Sequence, residues 1–377
     1  MHNFAIYNPV NLHFGKDCLQ TLPKSLANYG KKVLLIYGKG AIKSNGLYQQ
    51  ITSLLADYEL IEYSGIQPNP LVTDADAAAL LAREHQVDII LAVGGGSVID
   101  TAKMVSIGGK VSHSVWDFML GKAQPTQAIP LIAVLTLAAT GTEMNPFAVL
   151  QNPESMKKIG YGHQLIFPAE SFLDPQFTYS VNAAYTAYGI VDLIAHSLEA
   201  YFGQGDSPLA DRFVFSILEE AMEVGPALLK HLDNYELRAR IMYAATMALN
   251  GTTAHGRKSG DWGVHAIGHE LSLLFDMPHG ASLSIAYPAW MKLMAESAEN
   301  RLLELGSAVF GVDSVEETIA EFEAFFSLIG SPIRLSDFGI EESKAELIIQ
   351  QFQNNRISGA NFKINANDYD LLYQWMK

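Results

Sequence analysis

Between Asp261 and Gly280 the chain reads DWGVHAIGHELSLLFDMPHG, which places His265, His269 and His279 in an otherwise apolar stretch. His265 and His269 are four residues apart and share one face if the segment is helical. His279 follows DMP, a proline-bounded turn. A second run, IVDLIAHSLEAY, sets Asp192 and His196 at the same i, i+4 spacing. A carboxylate and an imidazole on a buried helix face are costly to desolvate without compensation. A divalent cation compensates both, and Asp-x-x-x-His is a sound two-ligand half-site. A single histidine in such surroundings is ordinarily a hydrogen-bonded core residue, but two i, i+4 pairs and a third histidine at a turn favour a metal. The pattern is not that of a zinc protease, because H-E-x-x-H starting at His269 needs a histidine where Leu273 stands.

Two glycine-rich turns could hold a nucleotide. AVGGGSVIDTAK puts Gly94, Gly95, Gly96 and Ser97 between an apolar run and a helical pattern. Glycines let a ligand approach the backbone, and the free N–H groups of a helix start attract anions such as pyrophosphate. The alternative is a tight strand-to-helix turn that binds nothing. YGKGAIKSNG supplies Gly38 and Gly40 without a third glycine at the fingerprint offset, so that motif is incomplete. Lys39 lies between the two glycines, Lys43 is near, and no acid stands in the turn. An acid there would hold a ribose 2′-hydroxyl, whereas lysines tolerate a 2′-phosphate, so NADP(H) is expected over NAD(H).

The elements that must carry these residues change texture along the chain. KKVLLIYG, YELIEYSG, VDIILAVGGGS and AIPLIAVLTLAATGTE alternate with helical stretches such as DADAAALLAREHQ. Apolar strands separated by helices predict a Rossmann-like α/β domain with a parallel sheet covered on both faces. Beyond about residue 180, ADRFVFSILEEAMEVGPALLKHL, YELRARIMYAATMALNG and VEETIAEFEAFFSLIG carry apolar residues at three- and four-residue spacing. The division expected is therefore an α/β domain over 1–181 and an all-α domain over 182–377. His113, His163 and His255 read as exposed loop residues, and Phe322, Phe325 and Phe326 as core. Trp262 reads equally as a pocket wall or as packing, and Asp100 and Glu143 as capping or hydrogen-bonding groups.

A length of 377 residues favours two domains over one. A formal charge of −15 argues against a nucleic-acid partner, and no basic amphipathic helix draws the chain to a membrane. Cys18 is the single cysteine, so an intrachain disulfide is impossible and any metal must take nitrogen and oxygen ligands. The start MHNFAIYNPV lacks the pattern of a signal peptide, and IPLIAVLTLAA is too short to span a bilayer. A cytoplasmic protein is expected.

Taken in order, NPVNLHFG, QPNP (Gln67–Pro70), GGGSVID, TLAATGTE (Thr136–Glu143), VDLIAHSLEAY and DWGVHAIGHELSLLFDMPHG resemble the iron-containing (group III) alcohol dehydrogenases. The likeness is greatest to the butanol dehydrogenase and NADPH-dependent aldehyde reductase branch. It runs to at least Pro288, and more weakly through LIGSPIRLSDFGI. The resemblance implies a dehydroquinate synthase-like architecture, hydride transfer between NADP(H) and a small aldehyde or primary alcohol, and a homodimer. It puts the metal ligands on Asp192, His196, His265 and His279, with Fe2+ first and Zn2+ next, and leaves His269 facing nicotinamide and substrate. It puts cofactor contacts on Gly38, Asn69, Gly95, Ser97, Thr136, Thr140, Asn145 and Lys158. Where NAD-preferring members carry an aspartate, this chain has Lys39. Glycerol dehydrogenases and dehydroquinate synthases share the architecture and resemble the chain more remotely. A metal-dependent hydrolase would have no use for the Gly94–Gly96 turn, and a non-enzymatic metal or nucleotide binder would not need the two to meet at one cleft.

Overall fold

The apolar runs of the first half become strands because β-branched and aliphatic side chains pack well on a pleated surface. The computed structural model describes all 377 residues. Its strands are β1 (Asn11–Phe14), β2 (Lys32–Gly38), β3 (Glu59–Ile66), β4 (Ile89–Gly94), β5 (Leu131–Leu135), β6 (Phe147–Asn152), β7 (Lys157–Gly162) and β8 (Glu170–Leu173). Six of them form a parallel sheet in the order β1-β8-β5-β4-β2-β3, and β6 and β7 pair antiparallel as a separate hairpin. Every residue of β4 and β5 is buried, as strands covered on both faces must be.

The helices of this unit are α1 (Leu22–Leu26), α2 (Ala41–Ser44), α3 (Leu47–Leu54), α4 (Val72–Glu84), α5 (Gly96–Gly108) and α6 (Trp116–Met119). β2 connects outward to β3, whereas β4 connects to β5 on its other side. The carboxyl ends of β2 and β4 therefore flank a topological switch point, where open α/β sheets bind ligands. Gly38 closes β2 and Gly94 closes β4, so both glycine-rich turns stand at that point.

The remaining elements are α7 (Ala183–Tyr201), α8 (Pro208–Lys230), α9 (Tyr235–Leu249), α10 (Gly263–Phe275), α11 (His279–Leu293), α12 (Glu299–Val309), α13 (Val315–Leu328), α14 (Ala345–Asn355) and α15 (Tyr369–Met376). α7 is buried along most of its length and packs on α8, α9 and α11, while α10 pairs with α11. Phe322, Phe325 and Phe326 are buried in α13. No helix is long and apolar enough to cross a membrane.

The chain divides into a unit of Tyr7–Asn182 and a unit of Met1–Ile6 with Ala183–Lys377. The first six residues thus join the helical unit, a placement that differs from the expected 1–181 domain. The His2 N–H donates to the Gly256 carbonyl at 2.8 Å, and Phe4 stacks on His255 with ring centroids 5.3 Å apart. His255 is therefore half-buried rather than exposed, as is His163, whose ring accepts from the Leu165 N–H; His113 is exposed.

Candidate metal centre and nucleotide turns

Helical spacing on α7 puts Asp192 and His196 one turn apart on a buried face. α10 carries His265 in its first turn and His269 one turn later. It ends at Asp276, which takes left-handed backbone (φ 49), and Pro278 then caps α11 so that His279 is its first residue. One ligand atom each from Asp192, His265 and His279 lies within 4.8 Å of the other two. Asp192 Oδ1 is 3.7 Å from His279 Nε2, 4.0 Å from His265 Nε2 and 3.4 Å from His196 Nδ1. His196 lies beside the trio, its ring 4.7 Å from that of His265 between centroids. His269 sits further out and partly exposed, 5.4 Å from the His279 ring.

Bonds of about 2.0–2.2 Å to nitrogen and oxygen put neighbouring ligands of one cation roughly 3.0–3.6 Å apart. The separations from Asp192, 3.4–4.0 Å, are close to that range, and the nitrogen and oxygen donor set suits a divalent metal. Burial and the neighbouring His265 hold the His196 imidazole well below its usual range, in the neutral form that ligates metals.

Two carboxylates that the sequence reading did not single out hold the entrance to α10. Glu199 is buried (1% exposed) and accepts from the His265 backbone N–H at 3.0 Å and, at 2.9 Å, pairs with His265 Nδ1. It also accepts from the Trp262 N–H. Burial pushes its carboxyl up to about 8, against the pull of backbone N–H groups of His265, Trp262 and Val264. Asp261 accepts from the backbone N–H groups of Gly263, Asn361 and Phe362, and burial raises it to about 6. Trp262 takes left-handed backbone (φ 64) between them and is exposed.

In the other unit, Gly94 and Gly96 have distinct reasons to be glycine. A Cβ on Gly94 would overlap Val98, and one on Gly96 would overlap Thr140 at 2.8 Å. The N-terminus of α5 has no side-chain cap, and Gly95, Gly96 and Ser97 are partly exposed there. Gly38 is different: its Cβ would find only ordinary contact, the nearest atom being the Ile66 oxygen at 3.5 Å. Packing does not require glycine at that position, whereas a close ligand would.

Lys39 is exposed beside Gly38. The turn also has an acid neighbour from β3: Glu62 accepts from the hydroxyls of Tyr37 and Tyr48, each at 2.6 Å, with Lys43 lying over both rings. Those partners hold the Glu62 carboxyl below its usual range despite the opposing effect of burial.

Thr136 and Thr140, after β5, are partly exposed, and the Thr136 N–H donates to Gly94. Asn69 and Lys158 form a buried pair, Lys158 Nζ donating to Asn69 Oδ1 at 2.8 Å, with Asn69 in left-handed backbone (φ 48). Asn145 is buried, and its amide is engaged internally by Gly141, Phe147 and Lys103. Lys103, fully buried in α5, donates among Thr142 Oγ1 and the Asn145 and Phe147 oxygens at 2.6–3.1 Å. Burial lowers it to about 7, opposed by Asp100 and Glu143. Asp100 in turn accepts from Thr142 and from the Val149 N–H.

The signals for the missed residues were present. Glu199 continues the Asp192, His196 stripe at i+7, and Lys103 is the one cation in an apolar helix run.

Comparison with known proteins covers both units. The family pattern described as iron-containing alcohol dehydrogenase matches residues 9–175, and that of the Fe-containing alcohol dehydrogenase family C-terminal region matches 186–372. The probable NADH-dependent butanol dehydrogenase 2 of Bacillus subtilis is 42% identical, over 92% of each chain. The NADPH-dependent aldehyde reductase YqhD of Escherichia coli is 32% identical over 99% of each. The crystal structure of NADH-dependent butanol dehydrogenase A from Thermotoga maritima superposes with a TM-score of 0.96 at 33% identity, covering 100% of this chain and 99% of that one. Matched in both units by one family's pattern, and nearly end to end by its relatives, the chain belongs to the iron-containing alcohol dehydrogenase family.

Proposed function

We propose that the chain reduces a small aldehyde to the primary alcohol with a reduced nicotinamide nucleotide, NADPH in preference to NADH, and runs the reverse reaction when alcohol is supplied. The observation that carries this reading is the convergence of Asp192, His265 and His279 from three helices, with His196 beside them. These four would hold the cation, Fe2+ first and Zn2+ second. A cation there supplies Lewis-acid polarisation of a carbonyl oxygen, and the nicotinamide supplies hydride.

The protein's own residues do the rest. The Asp192 carboxylate offsets part of the cation's charge, and the buried, neutral His196 imidazole joins those of His265 and His279 in the donor set. A proton reaches the product oxygen through His269, set apart from the trio and partly exposed, or through a hydroxyl of the nucleotide. The turn at Gly94–Ser97 receives the pyrophosphate, while Gly38 admits the adenosine end close to the backbone. Thr136, Thr140, Asn145 and the Asn69–Lys158 pair shape the neighbouring wall.

Lys39 and the compensated charge of Glu62 support NADPH. The competing preference for NADH is favoured by the Bacillus relative, a probable NADH-dependent butanol dehydrogenase. Anaerobic protein loaded with iron(II) or zinc, given butanal and either nucleotide, tests both levels. Metal-dependent oxidation with the lower KM for NADPH supports the full reading. A lower KM for NADH keeps the reductase and rejects the nucleotide preference. No turnover with bound metal rejects the reductase. We further propose a cytoplasmic homodimer, to be checked by light scattering of the eluted protein.

A further inference from the structure

Glu199 lies on the same helical stripe as Asp192 and His196, at i+7 and i+3, yet its carboxylate points at a different helix. Oε1 meets both the backbone N–H and Nδ1 of His265, and Oε2 takes the Trp262 N–H. Trp262 and His265 belong to the opening turn of α10, whose N-cap residue offers no side-chain acceptor. Those orphan N–H groups need an acceptor from outside the helix. Asp261 takes Gly263, and Glu199 takes the others.

The same carboxylate has a chemical consequence for the ring. An acceptor at Nδ1 fixes the proton there, so the lone pair of His265 belongs to Nε2. Nε2 is the atom that faces Asp192 Oδ1, at 4.0 Å. We propose that Glu199 is a positioning residue of the metal centre. It sets the tautomer and orientation of His265 and anchors the start of α10 to α7, so that ligands from two helices converge. This rests on the assignment of Asp192, His196, His265 and His279 as metal ligands.

The test is the zinc affinity of full-length, metal-free protein, by competition with a chromophoric chelator, for the unmodified chain and Glu199→Gln. A glutamine carbonyl can replace one acceptor, but its amide places N–H donors against backbone N–H donors. The expected result is a roughly 10–100-fold weaker affinity in a variant that keeps its helical circular dichroism. Affinity within about twofold of the unmodified chain, together with a lower unfolding temperature, would reduce Glu199 to a helix cap and overturn the proposal. Failure of the unmodified chain to bind zinc or iron(II) would instead overturn the metal site itself, and this role with it. Should Glu199→Gln not fold, nitrogen-15 ring shifts of His265 in the unmodified metal-free protein decide. A proton on Nδ1 supports the role, and one on Nε2 removes it.

Discussion

Lys103 shows how a single side chain holds a turn from beneath. Its ammonium gathers oxygens of Thr142, Asn145 and Phe147 while Asp100 secures Thr142 and Val149. Lys103→Met strands the buried acceptors on Thr142, Asn145 and Phe147, and leaving such a group without a partner costs about 1–3 kcal/mol. Urea unfolding at slightly acid pH should show a loss of that order, and a loss under about 1 kcal/mol would mean the network is dispensable. In the metal centre, His279→Ala is expected to lose bound metal and activity together, whereas His269→Ala keeps the metal and lowers turnover about 10²–10⁴-fold. Metal content of the purified variants separates the two, and a His269→Ala protein without metal would reverse their roles. Cys18 lies outside both sites; burial and the nearby Asp174 carboxylate push its thiol from 9.0 up to about 11. At pH 8 it should be alkylated roughly 100-fold more slowly than an unperturbed thiol. The histidines were legible because imidazole is conspicuous in apolar sequence. Glu199 and Lys103 carried a fainter signal, their place in an apolar helix run, because a charged residue on a helix is usually solvated and only the fold reveals that these are buried.

At the level of elements, the ligand geometry depends on how closely α11 approaches α7. Gly280 follows His279 directly, and a Cβ there would overlap the Tyr188 carbonyl. Gly280→Ala should therefore push the start of α11 away from α7 and carry His279 with it. Overpacking of this kind costs about 1–3 kcal/mol. Zinc titration should show the affinity falling along with thermal stability. Full affinity in Gly280→Ala would mean that the two helices can separate without moving the ligand. Helices such as α8, α9 and α13 were legible from their spacing to within a few residues, and β2, β4 and β5 from their unbroken apolar runs. β1 and β8, four residues each, are too short to display a period, and the β6–β7 hairpin mixes exposed and buried residues unevenly. The left-handed Trp262 had no sequence sign either, because its conformation is imposed by the carboxylates around it.

For the whole chain, a formal charge of −15 bears on the arrival of ligands. A negative surface draws divalent cations inward, so zinc loading of the metal-free protein, followed by stopped flow, should slow as salt is raised. A rate independent of ionic strength would confine the effect to the immediate ligands. The two-unit division was legible in the change from strand to helix texture. The place of Met1–Ile6 was not, because six residues carry no period that names their neighbours. The sheet has a temporal consequence as well. β1 finds its only sheet neighbour in β8, with Asn11 opposite Glu170, 159 residues later. At ribosomal rates of about 5–20 residues per second, roughly 8–30 s pass before that partner is synthesised. Until then the nascent chain holds one unmatched ribbon at its start and an uncovered β5 edge, which makes translation speed and chaperone access part of how this enzyme reaches its native state.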